Sequence, residues 1–168
     1  RLWVHCKHPE QLSIDWLREH LIREYVPTVH SFYWPHNAIA KAQVALLRAG
    51  LADQSITKLA FISQSTIPIV SPDEAYYKLT RDDKSWIDRE GFCEERYLGL
   101  KPGVIPREHY QKSSIWLILN RRHAWQCVTA EAQYMDAFVN SPAADEHYFH
   151  TILSIQGIDY ERETWPRC

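Results

Sequence analysis

LAFISQSTIPI, at residues 59–69, is the stretch that indicates the fold class. Its first four residues form an apolar run of strand length, and such runs are typical of the middle of a parallel sheet. The polar turn Ser63-Gln64-Ser65 follows at the carboxyl end of this predicted strand. Ligands of open α/β sheets bind outside the carboxyl ends of their strands, so these three residues are candidate ligand-binding residues.

The segments on both sides of this stretch alternate between strand and helix patterns. A small-residue helix is predicted from Ala38 until Gly50 stops it, and a capping box with proline at the first helical position starts a short helix at Ser71. The other predicted elements are strands at 2–5, 25–29, 85–87 and 115–119, an amphipathic helix at about 14–22, and a long helix from Asn120 to about Val139. This order predicts one α/β domain, residues 1–168, with a mostly parallel central sheet flanked by helices.

Composition excludes several classes of protein. The chain has 168 residues, enough for one domain with a real core, and a net charge of −2 without a basic run, so nucleic acid is not an expected partner. No apolar run has the length of a membrane span.

Seven Trp and nine Tyr predict either stacking surfaces for a planar or sugar ligand or an aromatic-rich core. The four cysteines (Cys6, Cys93, Cys127, Cys168) form no CxxC pair and permit disulfides without demonstrating them.

Two adjacent acids, Asp145 and Glu146, follow a predicted helix start at Ser141-Pro142. The pattern places both in the first turn of a helix, where anions are favourable. Consecutive helix residues diverge by roughly 100°, so the two acids cannot do the same work. One can cap the helix or orient its neighbour while the other faces a cleft. The alternative is that both merely decorate a solvent-exposed helix start.

Common catalytic motifs are absent from the sequence. There is no GxGxxG after the first strand, no GxxxxGK[ST] and no GxSxG, which removes the usual signals of dinucleotide, P-loop and α/β-hydrolase sites. A metal-dependent hydrolase using Glu146, His147 and His150 is a further alternative, since the two histidines could share a helix face. The HExxH order is not met, however, and no further ligand cluster is evident.

Several segments, in this order along the chain, resemble one family: VHCKHP, AKAQVALLRAGLAD, FISQSTIPI, KSWID, HYQKSSIWLILNRR and ADEHYFHTIL. The family is that of the core-2/I-branching β-1,6-N-acetylglucosaminyltransferases (glycosyltransferase family 14), and the plant and algal members are the most similar. The resemblance implies a GT-A-like, Rossmann-like fold. It also implies transfer of a sugar, with inversion, from a UDP-sugar donor to an acceptor hydroxyl of a glycan or glycoprotein. The family works without the DxD metal motif, so neither a metal nor another cofactor is expected.

The resemblance also implies roles for individual residues. The family's catalytic base falls on Glu146, which would take the proton of the acceptor hydroxyl while Asp145 caps or orients it. Lys112 is the candidate cation for the leaving diphosphate, with a surface lysine as the alternative. The implied donor-binding residues are Lys112, Ser113, Ser114, Ser63, Gln64, Ser65 and His5. The implied acceptor-binding residues are Arg96, Tyr97 and Trp116, although a solvated charge run is the alternative interpretation of residues 94–97.

Three departures from the family pattern lead to a second functional hypothesis. Cys6-Lys7 stand where the family has an aspartate that contacts the donor, the family's first strand and helix would lie before Arg1, and a further segment of the family would follow Trp165. The domain is therefore expected to be part of a longer protein, and the alternative to an enzyme is a catalytically inactive relative that binds a carbohydrate or nucleotide sugar. The resemblance places the protein in the Golgi lumen behind an anchor outside this chain, or in the cytoplasm if it is bacterial or viral.

Overall fold

A computed structural model describes residues 2–5, 15, 19, 22–25, 37–63 and 65–158. Its strands are β1 (Leu2–Val4), β2 (Ile22–Tyr25), β3 (Lys58–Ala60) and β4 (Ile118–Asn120). Its α-helices are α1 (Ala38–Leu51), α2 (Pro72–Thr80), α3 (Glu94–Leu98), α4 (Arg121–Thr129), α5 (Glu131–Tyr134) and α6 (Tyr148–Ile155). Short 3₁₀ helices lie at Arg107–His109, Met135–Phe138 and Ala144–Glu146. The described residues thus form a mixed helix and sheet domain, as predicted.

The strands form two small sheets. β1 and β2 pair in parallel, whereas β3 and β4 pair antiparallel with Leu59 opposite Leu119. Trp86 forms an antiparallel bridge on the other side of Ile118. The parallel sheet expected around residues 59–62 is therefore not confirmed in the described part of the chain. The buried strand expected there is also shorter and more exposed, since β3 ends at Ala60 and Ile62 is 59% exposed. An apolar run does not encode the direction of the neighbouring strand.

The core lies between β3–β4 and the helices α1, α4 and α6, and α4 contacts both of the other helices. Leu59 and Leu119 point into it from the sheet, and the ring of Phe61 lies 5.6 Å from that of Phe149. The largest fully buried side chains are Tyr110, Tyr148, Phe138, Phe149, Leu47, Ile87, Leu117, Leu119, Met135, Ile152, Leu153 and His147. Among the described Trp and Tyr side chains, Trp86, Tyr110 and Tyr148 are buried, whereas Tyr76, Tyr77, Trp116 and Trp125 are exposed. The structure therefore does not decide between the two interpretations of the aromatic content.

Helix α1 confirms the small-residue pattern but does not end where the sequence suggested. Ala38, Ala40 and Ala42 are buried. Gly50 lies inside the helix, which continues to Leu51. A Cβ atom at Gly50 would lie 2.6 Å from Cδ2 of Leu59, so this glycine permits close packing of the helix on the sheet. Close approach, and not a helix stop, explains the residue.

Two predicted helix starts are confirmed by their hydrogen bonds. Ser71 Oγ accepts from the amide of Glu74 at 3.2 Å, and Asn120 Oδ1 accepts from the amide of His123 at 2.8 Å. The long helix predicted after Asn120 is instead broken into α4, α5 and a 3₁₀ turn. Two carbonyl oxygens in its second half accept hydrogen bonds from other segments. The carbonyl of Met135 accepts from the Asn37 side-chain amide, and the carbonyl of Ala137 accepts from the Lys101 backbone amide.

The remaining predicted elements are shorter than expected or fall largely outside the described residues. The strand at 85–87 is reduced to the bridge at Trp86, and the strand at 115–119 begins only at Ile118. Of the predicted helix at 14–22, Asp15 and Glu19 are helical, whereas Ile22 is the first residue of β2. β2 overlaps the strand expected at 25–29 only at Tyr25, and residues 26–29 lie outside the described residues. No helix in the described ranges is long and apolar enough to cross a membrane.

The cysteines that the structure describes are both free thiols. Cys127 is fully buried in the core, and this burial raises the pKa of its thiol. Cys93 is half-buried at the start of α3. Cys6 and Cys168 lie outside the described residues. The possibility of disulfides is therefore not decided for those two cysteines.

Arg121 joins the end of α1 to the sheet. Its guanidinium donates to the carbonyl oxygens of Leu51 at 2.6 Å, Asp53 at 2.8 Å and Ile56 at 3.1 Å. The last carbonyls of a helix have no partner within the helix, and a cation there also interacts favourably with the helix dipole. The first residue of α4 thus caps the carboxyl end of α1.

Replacing Arg121 by methionine should lower the free energy of unfolding by about 2 kcal/mol, because three carbonyls lose a charged donor. Urea unfolding at neutral pH measures the change. Arg122→Met is the matched control, since Arg122 is the exposed neighbour in the same helical turn, and its effect should stay below about 0.5 kcal/mol. Equal effects of the two substitutions would contradict the capping role of Arg121.

Candidate active site

The Asp145-Glu146 pair lies in a 3₁₀ turn and not in the first turn of an α-helix. The turn spans Ala144–Glu146, and α6 begins only at Tyr148. Ala143, just before the turn, has a left-handed backbone with φ of 51°. The amide of Ser113 donates to the carbonyl of Glu146 at 2.8 Å. This tertiary hydrogen bond takes up a carbonyl that a continuous helix would have used, which explains the difference from the sequence prediction.

Glu146 is a half-buried carboxylate held by two cations. Arg96 Nη1 donates to Oε2, and Lys112 Nζ lies 3.7 Å from the same oxygen. Their side chains are 23% exposed for Arg96, 24% for Lys112 and 27% for Glu146, so the cluster is neither buried nor freely solvated. Among the described residues, none donates a hydrogen bond to Oε1. One carboxylate oxygen is therefore anchored, and the other can accept a proton.

Lys112 is shared between two acids. Its Nζ also forms an ion pair with Oε2 of Glu90. The backbones are paired as well, because the Glu90 amide donates to the Lys112 carbonyl at 2.9 Å and the Lys112 amide donates to Gly91 at 3.1 Å. The alternative that Lys112 is a plain surface lysine is thus not supported. Sequence reasoning missed Glu90, since it stands in an irregular segment without any periodic signal.

His147 supports the cluster from the protein interior. Its Nδ1 lies 2.9 Å from the carbonyl of Gln111 and its Nε2 lies 3.3 Å from Arg96 Nη1. A carbonyl only accepts and a guanidinium only donates, so Nδ1 carries the proton and the ring is neutral. The ring stacks on Tyr110 with centroids 4.6 Å apart. Burial lowers the pKa of His147 to about 4, and the neighbouring Arg96 acts in the same direction.

Asp145 is buried next to Glu146 in the same 3₁₀ turn. Its Oδ1 has no hydrogen-bond partner in the described part of the chain. Burial raises the pKa of this carboxyl, and the charge of Glu146 adds to the effect, while a backbone hydrogen bond acts in the opposite direction. A role of Asp145 in capping or in orienting Glu146 stays a prediction.

Arg96 is placed by α3 and its contacts. The carbonyl of Arg96 accepts from Ser141 Oγ at 3.2 Å, which ties α3 to the segment before Glu146. A Cβ atom at Gly99 would lie 3.1 Å from the carbonyl of Asn140, so a small residue is needed for this approach. The alternative for residues 94–97 is a run of solvated charges. Glu94 agrees with it, because Glu94 pairs with Arg107 at the surface. Arg96 does not, because it is largely buried and pairs with Glu146.

Tyr97 lies beside the cluster as a packing residue. Its hydroxyl donates to the carbonyl of Ile105 at 3.2 Å, and its ring contacts those of Phe92 and Tyr110. Tyr110 in turn stacks on His147. Tyr97 therefore stabilises the aromatic layer behind Glu146, and its predicted contact with an acceptor stays a prediction.

The predicted donor and acceptor residues fall into separate places. Ser113 is buried beside Glu146, whereas Ser114 and Trp116 line a cleft that also includes Thr66. Ser63 and Ser65 form an exposed turn in which their hydroxyl oxygens are 3.0 Å apart. His5 follows β1 and is half-buried, and Gln64 lies outside the described residues. The structure joins Glu146, Lys112, Ser113 and Arg96 in one cluster and does not bring Ser63, Ser65 or His5 into it.

The metal-dependent hydrolase is not supported within the described residues. No group of three or more His, Cys, Asp and Glu side chains there is arranged to hold a metal ion. His147 has both ring nitrogens engaged, and His150 is fully buried in the core. Three protein ligands around an open position are what a catalytic zinc site requires.

The depressed pKa of His147 predicts a dependence of stability on pH. The unfolded chain protonates this residue near pH 6.5, whereas the folded protein does so only near pH 4. The stabilisation is therefore complete above pH 6.5 and is lost as the pH falls towards 4, by about 3 kcal/mol. Urea unfolding of the wild type and of His147→Asn, compared across this range, measures it. Parallel pH profiles for the two proteins would contradict the prediction.

The sequence comparisons agree with one another on the family. A family model described as Core-2/I-Branching enzyme matches residues 2–166. The rice (Oryza sativa subsp. japonica) protein named glycosyltransferase BC10 is 23% identical to this chain in an alignment of 155 residues. That alignment covers 76% of this chain and 39% of the rice protein, so the chain spans about two fifths of its relative. Because the family match extends over nearly all of its residues, the chain belongs to the Core-2/I-branching enzyme family of glycosyltransferases.

Proposed function

We propose that this domain is the catalytic part of a metal-independent, inverting glycosyltransferase with Glu146 as its base. The observation that carries the proposal is the asymmetry of the Glu146 carboxylate. Oε2 is held by Arg96 and Lys112, while the described residues donate no hydrogen bond to Oε1. A general base must be fixed in place and must also keep one oxygen within reach of the proton it removes.

In the proposed reaction, the acceptor hydroxyl lies against Oε1 of Glu146. The hydroxyl oxygen attacks the anomeric carbon of a UDP-sugar from the face opposite the phosphate, and its proton passes to Glu146. The bond from the anomeric carbon to the phosphate oxygen breaks, and its electron pair leaves with UDP. One displacement of this kind inverts the configuration at the anomeric carbon. Arg96 keeps the carboxylate aligned while the charge moves.

Lys112 is the residue proposed to receive the charge of the leaving diphosphate. A fixed cation at the place where negative charge develops lowers the barrier to transfer. Lys112 is now paired with Glu90 and close to Glu146, so an incoming diphosphate competes with two carboxylates for it. The long flexible stem of lysine allows such a change of partner.

The rest of the proposal follows family membership. The domain is part of a GT-A-like fold, and the donor binds at the turn after β3, through Ser63, Gln64 and Ser65, and near His5. Ser114 also contacts the donor, beside Lys112, whereas the buried Ser113 contributes through its hydrogen bond to the Glu146 carbonyl. Arg96 and Trp116 contact the carbohydrate acceptor, with Tyr97 supporting Arg96. By the same relationship, the protein acts on glycans or glycoproteins in the Golgi lumen.

Glu146→Gln should reduce the turnover number for sugar transfer by a factor of about 10² to 10⁴, because an amide cannot take up the proton. Donor binding should persist, and the rise in melting temperature with UDP measures it. Glu95→Gln is the matched control, since Glu95 is an exposed acid in α3 next to Arg96. Unchanged turnover in Glu146→Gln would remove this residue from the proposed role.

Transfer activity should be unaffected when EDTA is added to metal-free buffer, because the proposed cations are side chains. Activity that is lost with EDTA and restored by Mn²⁺ or Mg²⁺ would contradict the metal-independent mechanism.

Calorimetry tests the alternative of a non-catalytic domain that binds a nucleotide sugar. If the wild type binds a nucleotide sugar in the calorimeter but transfers no sugar, that alternative is favoured.

A further inference from the structure

The Arg96 guanidinium reaches two acceptors through a single nitrogen. Its Nη1 donates to Oε2 of Glu146 and lies 3.3 Å from Nε2 of His147. This nitrogen carries two hydrogens, so one can point to the carboxylate and the other to the imidazole. Within the part of the chain that the structure describes, the guanidinium makes no other hydrogen bond. The orientation of Arg96 at the proposed base therefore depends on His147 as well as on Glu146.

The His147 ring is held in one orientation and in one tautomer. Its Nδ1 donates to the carbonyl of Gln111 at 2.9 Å, and the ring stacks on Tyr110 with an interplanar angle of 10°. The residue has 0% exposed surface, so bulk water does not reach either nitrogen. With the proton on Nδ1, the neutral ring can only accept at Nε2. The fold thus presents one fixed acceptor to Arg96 from the interior of the domain.

The surroundings of His147 keep this acceptor free of a proton. Burial lowers the pKa of the ring to about 4, and the positive charges of Arg96 and Lys112 act in the same direction. The charge of Glu146 and the hydrogen bond to the Gln111 carbonyl oppose them. A proton on Nε2 would place a second donor opposite the guanidinium and remove the contact. At neutral pH the ring therefore accepts from Arg96.

The second acceptor restricts how the guanidinium can turn. A donor group with one partner can rotate about that hydrogen bond, whereas two partners on one nitrogen fix its plane. Lys112 does not replace this restraint on Glu146, because its Nζ lies 3.7 Å from Oε2 and is also paired with Glu90. A displacement of about 1 Å at a reacting group can cost on the order of 10²-fold in rate. A small rotation of Arg96 and Glu146 together would therefore be costly.

We propose that His147 is a positioning residue of the sugar transfer, whose Nε2 holds the Arg96 guanidinium so that Oε1 of Glu146 stays aligned with the acceptor hydroxyl. The inference rests on the proposed function, because it assumes that Glu146 is the base. His147 contacts no substrate and transfers no proton in this role. It acts through Arg96 alone, and the sequence indicated it only as a possible metal ligand.

Two substitutions at position 147 separate its two hydrogen bonds. His147→Asn keeps a donor at the place of Nδ1 for the Gln111 carbonyl and has no group at the place of Nε2. His147→Gln brings its amide oxygen to the place of Nε2 and leaves the Gln111 carbonyl without this donor. The two variants therefore assign any loss of activity to one hydrogen bond or to the other.

Steady-state kinetics provide the readout, with UDP-N-acetylglucosamine, UDP-glucose, UDP-galactose and UDP-xylose as donors and a panel of methyl glycosides as acceptors. The turnover number should fall by about 10- to 100-fold in His147→Asn, because the base loses its alignment. His147→Gln should recover most of this loss. The KM for the donor should stay within about twofold in both variants, because the lost interaction acts on the chemical step.

His109→Asn is the matched control. His109 Nδ1 also has a side-chain partner, Ser154 Oγ at 3.1 Å, at a place outside the charged cluster. Its turnover number should stay within about twofold of the wild type. Urea unfolding of all three variants at neutral pH shows whether activity merely follows stability. Equal losses of turnover in His147→Asn and His147→Gln, or losses that follow the free energy of unfolding, would overturn the positioning role.

NMR of the chain labelled with nitrogen-15 arginine observes the guanidinium without any turnover. The Arg96 signals are assigned by Arg96→Lys. Two acceptors slow the rotation of Nη1, so the wild type and His147→Gln should show separate Nη hydrogen resonances that average in His147→Asn. Separate resonances that persist in His147→Asn, or averaged resonances in the wild type, would contradict the proposal.

Glu146→Gln distinguishes this inference from the proposed function. If Glu146→Gln transfers sugar as fast as the wild type, the proposed function fails, whatever His147→Asn does. If Glu146→Gln is inactive and His147→Asn keeps its full turnover, the positioning role alone fails. In the double variant, His147→Asn should cause no further loss of the residual turnover, because it acts through Glu146. A further tenfold loss there would show an independent role and overturn the inference.

Discussion

The ion pair between Arg96 and Glu146 joins two parts of the chain that are 50 residues apart. Both side chains are about three quarters buried, and a lone carboxylate in such a place would be costly. Arg96 offsets that cost for Glu146, and the neutral ring of His147 occupies the space behind the guanidinium. The position of the proposed base therefore depends on α3, on the Ala144–Glu146 turn and on the aromatic layer between them.

The charges of the cluster balance without a substrate. Glu146 and Glu90 supply two negative charges, and Arg96 and Lys112 supply two positive charges. In the proposed reaction the donor brings further negative charge, so it must draw Lys112 away from a carboxylate. Donor binding and the freedom of Glu146 are then coupled through one lysine. This coupling gives a physical reason for Glu90, which sequence reasoning overlooked.

The β3–β4 sheet contributes to the domain through both of its faces. Leu59 and Leu119 on one face pack into the core, and the other face lines a cleft beneath α2. The backbone pairing of Glu90 and Lys112 holds two further segments side by side next to the charged cluster. The same short strands thus support two layers of the domain.

Local chemistry in the sequence determined the helix starts at Ser71 and Asn120 and the buried small-residue face of α1, and the resemblance of several segments in order indicated the family. Caps and periodic burial depend on residues a few positions apart, so they can be predicted. The tertiary structure alone decided the antiparallel direction of β3, the 3₁₀ turn at Glu146 and the partners Arg96, Lys112 and Glu90. These features depend on hydrogen bonds and ion pairs between distant segments, such as Ser113 with Glu146, and no local pattern encodes them.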